Sequence, residues 1–95
     1  MILVWGDRAK RDFRELVSYI AEASVQTADL VASRIDNAAE MLTFMPRMGR
    51  KGRVAGTHEL VVPRTPYILA YRIQPGAVRI LRVMRGARRW PSRFD

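Results

Sequence analysis

The sequence predicts an α+β domain of order β-α-α-β-β-β, and three observations lead there. Apolar residues recur at three- and four-residue spacing through most of the first half, the period of amphipathic helices. In the second half they alternate or run in short β-branched blocks, the mark of strands. The turns between those strands are short and carry Pro and Gly, which implies antiparallel hairpins. A length of 95 residues suits one compact domain, taken as residues 1–95.

The first strand is the run "ILVW" at 2–5, rich in β-branched and aromatic residues. Asp7 follows as the expected N-cap of a helix. Ala9, Phe13, Leu16, Val17, Ile20 and Ala21 then form one apolar stripe, through about Ala23. A second helix is expected to start near Ser24 to Thr27, two or three residues later. Leu30, Val31, Ile35, Ala38, Leu42 and Met45 form its stripe, and Pro46 stops it. Such an αα-hairpin needs a surface to cover, and a sheet supplies one. The stretch "PRMGRKGRVAG" (46–56) reads as a Gly-rich basic connection, either a phosphate cradle without the Walker pattern or a solvated loop. Three strands follow at 57–62, 67–73 and 78–84, separated by "PRTP" and "QPGA", and should form a meander.

Composition excludes several classes. There is no Cys and a single histidine, His58, so neither a disulfide scaffold, a thiolate metal site nor a histidine zinc site is expected. The apolar opening is too short for a signal peptide or a membrane span, so the expectation is a cytoplasmic protein without cofactor. Residues 1–45 hold five Lys/Arg against seven Asp/Glu, while residues 46–95 hold twelve against two, so the whole net charge of +8 lies in the second half. Fifteen of the seventeen basic residues are Arg, which favours flat bidentate contacts to phosphates or carboxylates. A polyanionic or acidic partner is implied; the alternative is a basic surface that serves solubility.

Period two sorts the strand residues. Tyr67, Leu69, Tyr71 and Ile73 share one face, and Ile68, Ala70 and Arg72 the other. In the last strand Leu81 and Val83 are expected to face the helices, leaving Ile80, Arg82 and Met84 opposite. Arg72 and Arg82 then form a positive floor on an uncovered face, and Arg88, Arg89 and Arg93 extend the charge into the tail. The competing reading is the ordinary polar face of a half-covered sheet.

The order of elements, with "GRKGRVAGTHELVVPRTPYILAYRI" (49–73) and "ILRVMRGARRWP" (80–91), resembles the RelE/ParE superfamily of bacterial toxins across essentially the whole chain. The resemblance implies the toxin of a type II toxin–antitoxin module, held inactive by a cognate antitoxin, with operator DNA bound only through that antitoxin and no membrane. It implies one of two targets: DNA gyrase for ParE-like members, or mRNA in the ribosomal A site for RelE-like members. Fold alone does not choose between them.

RelE-like cleavage, as the resemblance implies it, uses basic residues on phosphate and a C-terminal Tyr. By hairpin matching, the basic positions of the second strand fall near His58 and Leu60, the Arg of the third strand is Ile68, and the Tyr is Phe94. Arg88 is retained, and a His common among relatives is Arg85. If the chain is a nuclease, His58 is the candidate base and Arg72, Arg82 and Arg88 the phosphate clamps, because an arginine does not readily give up its proton. Arg50, Arg53, Arg85 and Arg89 are candidate phosphate or target contacts. The depleted set favours a ParE-like gyrase inhibitor; a ribosome-dependent endoribonuclease and an inactive antitoxin-binding partner are the alternatives.

Overall fold

The computed structural model describes residues 1–94. A first strand β1 (Ile2–Trp5) leads into α1 (Asp7–Ala23) and α2 (Val25–Phe44). A two-residue strand β2 (Arg50–Lys51) follows, then β3 (His58–Val61), β4 (Tyr67–Gln74) and β5 (Ala77–Arg85). The five strands form one sheet in the order β1-β5-β4-β3-β2, with β1 parallel to β5 and every other pair antiparallel. The expected β-α-α-β-β-β core is therefore present, with β2 added at the edge.

Three local expectations are corrected. Gly6, not Asp7, is the N-cap of α1, and Asp7 is the first helical residue. The helices are separated by Ser24 alone: its extended backbone turns the chain while its Oγ accepts the Thr27 N–H at 3.1 Å, so one residue both breaks and caps. The 46–56 connection is not wholly loop, because Arg50 and Lys51 pair with Glu59 and His58.

The two helices cover one face of the sheet. Ala9 of α1 and Val31, Ile35, Ala38, Ala39 and Leu42 of α2 pack with Tyr67, Leu69, Tyr71, Val78, Ile80 and Val83. Leu3, Trp5 and Leu60 join them from the outer strands, and Trp5 meets Phe13 edge-on at 5.4 Å between ring centroids. The β4–β5 hairpin closes through Pro75-Gly76, where Gly76 has φ 72°, a conformation that suits glycine.

A β-bulge changes the face assignment of the last strand. Tyr71 pairs with Ile80 but Ala70 pairs with Arg82, so Leu81 is the extra residue. Ile80 and Val83 therefore both point at the helices, whereas strict alternation put Leu81 there and Ile80 outside. Leu81 is half-buried, while Ile80 is fully enclosed. Strict alternation fails wherever one strand carries an unopposed residue.

Candidate functional site

The face turned from the helices carries most of the strand arginines, but it is not bare. Ile68, Ala70 and Met84 lie on it and are buried. The chain after β5 returns across it: Gly86 packs against Ile68, and the Trp90 ring lies under the Arg53 guanidinium at 3.8 Å. Trp90 Nε1 donates to Arg85 O at 3.2 Å, and Phe94 contacts the Trp90 ring. The expected open floor is thus partly covered by the C-terminal segment.

Glu59 organises the edge of this face. Among the described residues it is the one carboxylate in a strand, and its side chain is 1% exposed. Arg53 donates to it three times, from its backbone N–H at 2.7 Å and from Nε and Nη2 at 3.0 Å each. Arg50 Nη2 adds a fourth bond at 3.2 Å. Burial works to raise the Glu59 carboxyl, but these hydrogen bonds outweigh it and hold the group below the usual carboxylate range. Arg50 and Arg53, expected as phosphate contacts, are therefore both engaged with Glu59.

The Gly-rich connection is fixed rather than cradle-like. Tyr71 is fully buried, and its hydroxyl donates to Pro46 O at 2.7 Å while accepting the Gly49 N–H at 3.0 Å. A β-carbon on Gly49 would stand 2.6 Å from both Glu59 O and the Tyr71 hydroxyl, so this close approach requires glycine. The Gly49 N–H is thus bound inside the fold. The glycines serve packing of the 46–52 segment on β3.

The four residues assigned to nuclease chemistry do not converge. His58 pairs with Tyr71 across β3 and β4, so it shares the helix-side face, where its ring stacks on Tyr71 at 5.5 Å. Its Nδ1 is buried and has no hydrogen-bond partner among the described residues. Arg72, the neighbour of Tyr71, points to the opposite face. Arg82 is turned to α1: its Nε bonds Asp12 Oδ2 at 2.7 Å and its Nη2 bonds Asp12 Oδ1 at 3.2 Å. Arg88 lies in the exposed tail, beside Arg89, and lines a groove with Arg85.

That groove, of about 420 Å³, runs between α1 and the part of β5 that β1 does not reach. Leu16, Tyr19, Tyr67 and Val83 supply apolar walls, and Asp12, Glu15, Arg82, Arg85 and Arg88 the charge. Sequence reasoning did not find Asp12 or Glu59 as parts of these clusters. Glu59 carried a weak signal, as the one acid within the three strand-like runs of the second half. Arg72 also pairs directly with Arg79 across β4 and β5, and that contact left no signal because it depends on the hairpin register.

Residues 3–90 match the family model described as ParE toxin of type II toxin–antitoxin system, parDE. The chain belongs to this family. It is accordingly a toxin of the type II toxin–antitoxin class. Similar relatives include the Y4kP protein of Sinorhizobium fredii, 40% identical over 93% of this chain and 91% of the relative. Another is Toxin RelE2 of Caulobacter vibrioides, 34% identical over 90% of this chain and 96% of the relative. The fold is shared with a chain of the chromosomal ParDE system of P. aeruginosa, with a TM-score of 0.79 at 24% identity, covering 90% of this chain and 95% of that one. No helix among the described residues of this ParE-family toxin is long and apolar enough to cross a membrane.

Proposed function

We propose that this toxin poisons DNA gyrase without cutting nucleic acid, and that a small cognate antitoxin silences it. The observation that carries the first part is the separation of His58 from the arginines. A base on the helix-side face cannot serve a phosphate held by Arg72 on the other, and Arg82 is committed to Asp12. Cleavage through a 2′-hydroxyl needs base, acid and cations around one phosphate. Phe94, where the superfamily resemblance places a Tyr, has no hydroxyl to offer. Of the arginines assigned to phosphate or target contact, Arg85, Arg88 and Arg89 are exposed and outside the ion pairs of the described residues.

The antitoxin reading rests on the family and on the α1–β5 groove. Apolar walls rimmed by Arg85 and Arg88 suit an acidic, amphipathic segment that orders on binding. Charge pairing there mainly speeds association and sharpens partner choice. Operator DNA is contacted through the antitoxin, and the site of action is the cytoplasm.

A ribosome-dependent endoribonuclease is the second reading, favoured by the name of the Caulobacter relative Toxin RelE2. Primer extension on ribosome-bound mRNA, run beside a gyrase supercoiling assay, separates the two. Intact mRNA with blocked supercoiling supports the gyrase reading. Breaks at codon boundaries that vanish in Arg88→Ala overturn it.

A further inference from the structure

Arg72 of β4 and Arg79 of β5 are direct cross-strand partners on the face turned from the helices. Both are half-buried, and neither forms an ion pair with a carboxylate among the described residues. Like charges set directly opposite each other on antiparallel strands oppose folding. The nearby strand carboxylate, Glu59, cannot offset them because Arg53 and Arg50 already take both its oxygens. On the far side of Arg79 the pairing residue is Val4, which brings no charge. The Arg79 guanidinium lies beside Gly6, where an added β-carbon would be 3.7 Å from Nη2, so no side chain reaches it from that position. The register thus gathers positive charge that nothing in the described fold uses.

We propose that Arg72 and Arg79 form a phosphate-binding pair that grips the phosphodiester backbone of a nucleic acid. One guanidinium fork already satisfies a carboxylate. Two forks on adjacent strands present more donors than a carboxylate accepts, and they suit the non-bridging oxygens of a phosphate. The pair is distinct from the nuclease set considered above, since Arg79 and not Arg82 stands beside Arg72. It requires no cleavage and does not depend on whether gyrase or the ribosome is the target. Duplex DNA and single-stranded RNA are two sources of the same chemistry.

The test measures fluorescence anisotropy of labelled duplex DNA and of labelled single-stranded RNA with the purified toxin, over a range of salt. The double variant Arg72→Gln/Arg79→Gln is compared with Arg11→Gln/Arg14→Gln, which removes the same charge from exposed positions of α1. If the pair neutralises one phosphate, the slope of log affinity against log salt on duplex DNA falls by about 0.9 in the first variant. The helix variant keeps a near-native slope. Arg79→Lys, which retains the point charge, keeps most of the slope as well. The thermal midpoint of the double glutamine variant is expected to be unchanged or higher, because a repulsion has been removed. Loss on DNA, on RNA or on both supports the pair and names the polymer. Equal slopes in the two double variants, or no binding by the native chain to either polymer, overturns it.

Discussion

Asp12, in the second turn of α1, holds two parts of β5 at once. One oxygen accepts the Arg82 Nε at 2.7 Å and the Val83 backbone N–H at 3.0 Å, although about 70 residues separate the partners in sequence. The strand β1 pairs with β5 only as far as Ile80, so the next outward N–H of β5 would have no strand partner. The carboxylate supplies one, and the guanidinium of Arg82 balances its charge. Helix and sheet are thereby pinned where the parallel pairing ends.

Removing this carboxylate should cost more than removing an exposed ion pair. Arg82 and Asp12 are only 17% and 10% exposed, so Asp12→Ala leaves a mostly buried cation and a bare N–H. We expect Asp12→Ala to lose roughly 3 kcal/mol of stability, in the range found when one partner of a buried pair is removed. Urea denaturation measures it, and Arg8→Ala, whose contact to Asp12 is long at 3.8 Å, should lose almost nothing. Loss of toxicity in Arg82 variants then reads as lost stability unless the melt is unchanged.

Acid should reach the fold through Glu59. Its folded pKa lies below the ordinary glutamate value of about 4.3, so its contribution is present above that pH and disappears as pH falls through the depressed value. Thermal melts at steps below pH 5 should show the native chain losing stability toward the Glu59→Gln variant. At neutral pH the variant should be the less stable of the two. A constant difference between them at all pH values would mean that the Arg53 and Arg50 bonds do not stabilise the charged form.

Tyr71 and Gly49 should behave as one joint. Tyr71→Phe removes the hydroxyl that bridges Pro46 O and Gly49 N, and about 1–2 kcal/mol of stability should go with it. Gly49→Ala should be worse, since its methyl would displace the β3 backbone at Glu59. Hydrogen exchange should show faster opening of the 46–52 amides in both variants.

His58→Ala should leave toxicity intact. Its ring shares the buried side of the sheet with Tyr71 and not the arginine face, so no chemistry at Arg72 passes through it. Colony counts after induction without antitoxin check this. A hundred-fold or greater rescue of growth in a variant whose melt is unchanged would instead assign the imidazole a functional role, on the scale of lost general-base catalysis.

Elements were legible where the sequence repeats a period. The stripe from Ala9 to Ala21 and the alternation of Tyr67, Leu69, Tyr71 and Ile73 both reflect burial on one face, which a period records directly. The site was less legible. Arg50 and Arg53 read as solvent-facing phosphate ligands because their partner, Glu59, is reached only after the chain folds back.

By itself, then, the sequence determined the order of elements, the helix-covered face of β4, the concentration of arginine in the second half and the superfamily it resembles. These are consequences of local spacing and composition. Tertiary structure alone decided which arginines are occupied and which are not. The bulge at Leu81 turned Ile80 inward, Asp12 drew Arg82 to α1, Glu59 took Arg50 and Arg53, and the β4–β5 register set Arg72 against Arg79. Each depends on a contact between residues distant in sequence, or on a single unopposed residue in a strand, and neither leaves a periodic trace.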